Sequence, residues 1–373
     1  MLLLAVWSTN NLASSLLLDN GSGNHQIIVC SSSIELERAI DFFVKPTDSV
    51  LEIGAQLSDT SLQIQTIIQS KSSDSQSGGK ALFVEGPSDV RMSGRTKHNR
   101  RHVDAFDPTT VVTLQNLEGW REEILCKQQQ EDPSRRSSYD VVVVDLAHMV
   151  GNDLALTTLS WTNDILSKVT TNDNPPRITL VKSKSLSSLA RRIIPYQQLM
   201  DGTSIIDKDD EYYTRTNAPL IIASVGVAEY RRTIPFVLTP GDAVIEVGCH
   251  AGYTTAILAE ATTGLCIGVD IGPKIIKAAQ KEYPHVQFHV GDAWKTLDLL
   301  QLRTDGTLGY DLVFVDVGGL SGAYGILDSL ALLDSLANAL QPKCIVIKSL
   351  CMRRLATKLR AFSDIWSKQI PRR

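Results

Sequence analysis

The residues with the strongest claim to chemistry lie in the second half of the chain, each at the end of a short apolar run. The run VIEVG over 244–248 carries Glu246 and opens into Gly248-Cys-His-Ala-Gly252, followed at once by Tyr253-Thr-Thr. Gly248 and Gly252 let the backbone turn tightly and approach a ligand, and a helix starting at Tyr253 offers unpaired N–H groups to an anionic group. Asp270 ends the next run, 22 residues beyond Gly248, where a carboxylate can accept hydrogen bonds from both hydroxyls of a ribose. The third run is followed by Gly291-Asp-Ala-Trp294, which sets the Asp292 carboxylate and the Trp294 ring beside the same crevice. The fourth ends in Asp316, ahead of Gly318 and Gly319, and the fifth ends in Lys348.

For these residues to meet, their runs must be neighbouring strands with their carboxyl ends on one edge of a sheet. The spacing predicts strands over 243–247, 265–270, 286–290, 312–316 and 344–348, and helices over 253–260, 274–282 and 326–340. Runs such as LVFV and CIVI are apolar at every position, which suits strands covered on both faces and hence a parallel sheet. Strand–helix alternation with short loops makes this a doubly wound α/β sheet, whose ligands sit at the carboxyl ends of the strands near the switch in strand order.

The pattern occurs twice. IELERAIDFFVKPTDSVLEIG over 34–54 matches AEYRRTIPFVLTPGDAVIEVG over 228–248, with nine identities in 21 positions at a constant offset of 194. The same order continues with YDVVVVD at 139–145 against YDLVFVD at 310–316, and PRITLVKS at 176–183 against PKCIVIKS at 342–349, where the offset has fallen to 166. The first copy's extra length lies in turn-rich insertions at 70–80 and 86–102. The expected organisation is a first domain over 1–200, an acidic linker over 201–217 and a second domain over 218–373.

The order E-V-G-x-x-x-G, V-D, G-D-A and F-V-D at four successive strand ends resembles the class I S-adenosylmethionine-dependent methyltransferases over 221–349, and in a weaker version over 25–183. The resemblance implies two tandem doubly wound, mostly parallel α/β sheets of the Rossmann-like methyltransferase type, S-adenosylmethionine as cofactor, and methyl transfer by the C-terminal copy. It implies that Glu246, Gly248 and Gly252 surround the methionine moiety, that Asp270 binds the ribose, and that Asp292 contacts the adenine amino group with Trp294 nearby. The family's usual loop has glycine at the position of His250, which therefore reads either as a tolerated substitution or as a group touching the cofactor. A nicotinamide cofactor fits less well, because G-x-G-x-x-G is absent.

Methyl transfer from a sulfonium needs an aligned nucleophile and, for some acceptors, a proton acceptor. Asp316 is the first catalytic candidate and Lys348 the second. Each also has a structural reading, as a loop-capping acid and a strand-end cation, because Asp145 and Lys182 hold the same places in the first copy. The pair further resembles part of the charged set of FtsJ-like ribose 2′-O-methyltransferases, with Arg231 or Arg232 as the early cation and no clear place for that family's last acidic residue. The first copy keeps Glu52 and Gly54, has Ser58 in place of the second glycine, and carries Glu85 and Glu118 where the second has Asp270 and Asp292. It reads as a degenerate, non-binding domain. The alternative to an enzyme is a methyltransferase-like scaffold or interaction protein.

Composition bounds the rest. Hydrophobic residues at 43% and charged residues at 21% exclude a disordered polymer and a multi-span membrane protein. The net charge of −4 leaves no global attraction to nucleic acid or anionic membrane. One insertion, RMSGRTKHNRRH, gathers Arg91, Arg95, Lys97, Arg100 and Arg101 without an acid and is the candidate contact for RNA phosphates. Six scattered cysteines with no C-x-x-C pair suit free thiols, no metal site and a cytoplasmic location. The apolar stretch over 1–18 has no Lys or Arg before Arg38 and reads as a short amphipathic element rather than a targeting segment.

Overall fold

The computed structural model describes residues 25–55, 59–70, 79–85, 106, 111–113, 139–146, 176–201, 218–303, 306–320 and 325–368. The basic insertion, residues 58 and 118, the 1–18 stretch and the stretch 202–217 lie outside these. The chain divides into two units, Met1–Ser188 with Lys358–Arg373, and Leu189–Thr357.

The described elements of the first half are β1 (Gln26–Cys30), α1 (Ser33–Phe43), β2 (Ser49–Ala55), α2 (Asp59–Gln69), β3 (Lys80–Glu85), β4 (Val111–Thr113), β5 (Val141–Val144) and β6 (Ile178–Lys182), then α3 (Lys184–Arg192), β7 (Ile193–Pro195) and α4 (Tyr196–Met200). The second half runs β8 (Leu220–Ser224), α5 (Val227–Arg232), α6 (Ile234–Val237), β9 (Val244–Val247), α7 (Tyr253–Ala261), β10 (Cys266–Asp270), α8 (Pro273–Glu282), β11 (Gln287–Val290), α9 (Thr296–Gln301) and β12 (Leu312–Val315). It ends with α10 (Gly325–Leu340), β13 (Cys344–Lys348), α11 (Leu350–Lys358), β14 (Leu359–Ala361) and α12 (Phe362–Ser367).

Two seven-stranded sheets result, in the orders β14-β1-β6-β5-β2-β3-β4 and β7-β8-β13-β12-β9-β10-β11. Every pairing among the described residues is parallel. The apolar runs behave as doubly covered strands should: all four residues of β5, β9 and β12 are buried. The five strands and three helices expected in the second half form within one or two residues of their anticipated bounds. The strand ahead of each presumed copy, β1 or β8, extends the sheet beside β6 or β13.

The outermost strands come from unexpected places. β7, which falls within the anticipated first domain over 1–200, pairs with β8 in the second sheet, Ile193 beside Ile221. β14, near the chain's end, pairs with β1 in the first sheet, Ile27 beside Leu359. Residues 189–201 therefore belong with the second sheet and 358–368 with the first, across the break expected at 201–217. Side chains follow the strands. Phe362 is buried in the first core, with its ring 6.4 Å from Phe43 and 5.7 Å from Trp366, while Ile194 is buried in the second core beside Ile222 and Tyr230. The physical reason is that β1 and β8 would otherwise present an open edge, and a three-residue strand followed by an apolar helix covers it.

Phe362→Ala should cost about 3–5 kcal/mol, the usual loss for emptying an aromatic core site. Hydrogen exchange should show the lost protection at the amides of β1 and β6, although Phe362 lies at the far end of the sequence from both. Loss confined to β8 and β13 would contradict the pairing.

Candidate functional site

In the second sheet the chain runs from β9 to β10 and β11 on one side and to β12 and β13 on the other, so the strand order reverses between β9 and β12. That reversal is where an open α/β sheet forms its ligand crevice. The turn leaving β9 packs directly on the turn leaving β12: a Cβ on Gly248 would lie 2.2 Å from the Asp316 carbonyl oxygen. Gly248 and Gly252 both have φ of +84°, in the left-handed region, and a Cβ on Gly252 would lie 2.6 Å from the Phe288 ring. Between them His250 also has positive φ, 47°, with its side chain exposed.

The backbone of this loop holds Asp270. Its Oδ2 accepts from the His250 N–H at 3.0 Å and its Oδ1 from the Gly272 N–H at 2.9 Å. His250 thus contributes an N–H to the site, while its ring makes no described contact there. On the next strand the Gly291 N–H donates to the Asp270 carbonyl at 3.0 Å, and Asp292 Oδ1 accepts from the Trp294 N–H at 3.0 Å. Asp292 and Trp294 therefore stand one strand further out than Asp270, as their order predicts.

Glu246 points inward and is almost wholly buried. Its Oε2 accepts from the Thr255 hydroxyl at 2.5 Å. Burial pushes its carboxyl up to about 8; nearby Asp316 pushes the same way, while Thr255 and Arg231 oppose it. Tyr230, fully buried and packed edge-on to Phe314 at 5.4 Å, has its phenol raised well above the usual value by burial and by Glu246. Lys348 Nζ lies 2.5 Å from Asp316 Oδ2, with both side chains about a quarter exposed, so these candidates meet in one ion pair.

The first unit repeats part of this. Glu52 is buried with its carboxyl raised to about 7 by burial, Gly54 has φ of +81°, and Lys182 Nζ lies 2.6 Å from Asp145 Oδ2. Two residues, Ile271 and Tyr253, escaped the sequence reading of the second site as side chains facing it, while Arg231, one of the two early-cation candidates, takes a definite place. Ile271, directly after Asp270, is 71% exposed, and Tyr253 at the start of α7 is 54% exposed. Arg231 lies over the Tyr253 ring at 4.4 Å. An apolar residue immediately after the strand-end acid was the available signal for Ile271. Arg231 stands where the first copy has Glu37. Among the described residues no group of three or more His, Cys, Asp or Glu could hold a metal ion.

Residues 244–342, from β9 to just beyond α10, match the family model described as a methyltransferase domain. No curated protein matches the chain. Among solved structures it is similar to a TehB-like SAM-dependent methyltransferase from Corynebacterium glutamicum, at 19% identity over 35% of this chain and 71% of that one, with a TM-score of 0.26. It is also similar to the O-methyltransferase TomG from Streptomyces achromogenes, at 16% identity over 42% and 75% of the two chains with a TM-score of 0.28. For CalS10, an amino pentose methyltransferase from Micromonospora echinaspora, identity is 18% over 33% of this chain and 48% of that one, with a TM-score of 0.25. The family model carries the assignment, and it falls on the strands that hold the glycine loop and the four acids. The second unit thus carries a methyltransferase domain over residues 244–342.

Proposed function

We propose that the chain transfers methyl groups through its second unit alone, with the crevice between β9 and β12 as the cofactor site. The observation that carries this reading is the Gly248–Gly252 loop closed on Asp316 while its His250 N–H holds the ribose-facing acid, Asp270. The residues present fit S-adenosylmethionine. The loop has no phosphate cradle, each Asp270 oxygen keeps a lone pair for a ribose hydroxyl, and exposed Ile271 and Trp294 offer apolar faces suited to adenine. A Cβ at Gly318 or Gly319 would meet nothing within 4 Å, which leaves room beside Asp316 for an acceptor.

When bound, the cofactor supplies a sulfonium-activated methyl group for in-line displacement. The chain's own contribution is alignment and proton removal. Asp316 Oδ2 is fixed by Lys348, which leaves Oδ1 to take the proton from the acceptor's oxygen or nitrogen. Glu246, raised by burial, is a neutral acid in the free chain near pH 7 and becomes a favourable partner for an ammonium group brought close to it.

The first unit is proposed to be a degenerate copy that binds no cofactor. Besides the shared strand order, four side-chain arrangements recur at repeat-related positions. Asp48 pairs with Arg177 at 2.8 Å as Asp242 does with Lys343 at 2.6 Å. Asp140 accepts from the Ser49 N–H as Asp311 does from the Ala243 N–H, both at 2.8 Å. Glu35 accepts from the Ser31 N–H at 2.7 Å as Glu229 does from the Val225 N–H at 2.9 Å. The fourth is the Asp145–Lys182 pair matching Asp316–Lys348.

The methyl acceptor is unassigned, and RNA is one candidate class, supported only by the five basic residues within Arg91–His102, which lie outside the described residues. Salt-independent or absent RNA binding would remove it. A cytoplasmic location is supported by five free, buried cysteines among the described residues, none of whose helices is long and apolar enough to cross a membrane.

Three outcomes check this reading. S-adenosylmethionine at 100 times its dissociation constant should stabilise the chain by about 2.7 kcal/mol in a thermal-shift titration, and Asp270→Ala should abolish the shift. Asp316→Asn should slow turnover by about 10²- to 10⁴-fold while S-adenosylhomocysteine still binds, and Asp145→Asn should leave turnover unchanged. The third concerns pH. Because the folded Glu246 carboxyl titrates near 8 rather than 4.5, the native state holds a proton that the unfolded state has lost between those values. The stability of the wild type relative to Glu246→Gln should therefore be greatest below about pH 4.5 and fall as pH rises through 8, as urea unfolding at several pH values would show.

A further inference from the structure

We infer that the β1 edge of the first unit is a strand-addition site for residues 359–367 of this chain, and that a second copy can fill it in place of the chain's own segment, so that two copies join by exchanging closing segments. The inference concerns how the sheets are completed and is independent of what the second unit's crevice binds.

The repeat runs on past the strands that carry Lys182 and Lys348. At the same offset of 166, α3 matches α11, β7 matches β14, and α4 begins where α12 does, with Tyr196 against Phe362. The pairings obey the repeat as well. Ile193 lies beside Ile221 and Leu359 beside Ile27, and Ile221 is the repeat counterpart of Ile27 at the offset of 194. Each closing segment therefore keeps one register while lying on the sheet of the other repeat: β7 follows the first repeat and joins the second sheet, and β14 follows the second and joins the first. Segments that keep their register on an exchanged sheet recognise an edge by backbone pairing and a few side chains, not by their place in the chain.

The first edge selects its segment by aromatic contacts. Phe362 is buried beside Phe43, Ile365 and Trp366 pack on the same core, the Trp366 ring meets Phe42 at 6.4 Å, and the Arg38 guanidinium lies 5.9 Å from the centre of that ring. The second edge lacks this set: Met200 stands at the place of Trp366, and both Met200 and Phe236, the counterpart of Phe42, are exposed. The β1 edge thus fits the pattern L-x-A-F-x-x-I-W of 359–366. α11 ends at Lys358 and β14 begins at Leu359, so no loop residue separates them, and a connection without slack is the kind that invites exchange. When two copies exchange, each contact of the single chain is made again, with one copy's 359–367 on the other's β1. The balance then follows concentration. The chain's own segment acts at an effective concentration of about a millimolar, so the closed single chain prevails in dilute solution and exchanged pairs form where chains fold together at high concentration.

The test uses the full chain and a fluorescently labelled peptide of residues 358–368, read by anisotropy. Phe362→Ala in the chain weakens its own segment, so the peptide should bind that variant about 100-fold or more tighter than wild type, and the same substitution in the peptide should remove the gain. If Phe362→Ala loses the circular dichroism of the wild type, Trp366→Ala, whose ring is only partly buried, takes its place with a gain of about tenfold. Equal peptide affinity for wild type and variant, or no binding to the folded variant, would overturn the strand-addition site. The second copy as donor is read by light scattering after the wild type is refolded from urea at low and at high chain concentration. A dimer should form only at the high concentration, persist on dilution, and be suppressed by excess peptide present during refolding. Monomer at both concentrations, or a dimer that the peptide leaves untouched, would overturn exchange between copies.

Discussion

The second site depends on how closely the turn after β9 lies against the turn after β12. At Gly248 there is no room for a side chain of any size, since the Asp316 carbonyl oxygen occupies the place of its Cβ. The contact is set by volume and backbone conformation rather than by attraction. The Asp316 N–H donates to the Val247 carbonyl at 2.9 Å, and the Gly248 N–H donates to the Val269 carbonyl at 2.8 Å, so three adjacent strands end in register around it. Once that register holds, Glu246, Asp270 and Asp316 come to one crevice without further devices. Parallel strands all end on the same edge, and the reversal of strand order opens a gap there.

Electrostatics then separates what supports the fold from what the fold supports. The Asp316–Lys348 pair is partly exposed and recurs as Asp145–Lys182, so as an ion pair it contributes little to stability. Glu246 and Glu52 are different: each is a carboxyl buried behind a glycine turn, raised toward neutrality by the loss of water. An apolar residue would serve packing better at either place. The buried acid in the second unit has Arg231 and the α7 start beside it, and the first unit has neither the arginine nor the second glycine. The two sheets thus share a strand order and differ in the groups beside the point where that order reverses.

The edge strands of the two sheets come from different stretches of the chain. Each sheet ends in a three-residue strand: β7, directly ahead of β8 in sequence, in one, and β14, from beyond the whole second unit, in the other. The helices that follow carry the apolar side chains, Leu199 in the second unit and Phe362 and Trp366 in the first, that bury these edges. An edge strand of that length adds few hydrogen bonds. Its value lies in closing the edge and in the core contacts of the residues attached to it.

By itself the amino-acid sequence determined the strands around the site, the glycine loop and the acids at the strand ends, because strands buried on both faces are uninterrupted apolar runs and their ends are marked by a change to Gly, Asp or Lys. It left His250 open between two roles. The structure adds that its backbone has positive φ and aims its N–H at Asp270, with the side chain facing solvent. Only the tertiary structure decided which segment closes which sheet, because Ile-Ile-Pro and Leu-Arg-Ala are too short to carry a pattern and an open parallel edge accepts either. It alone placed Arg231 on Tyr253, a contact between residues on separate helices whose meeting depends on how α5 and α7 pack against the same sheet.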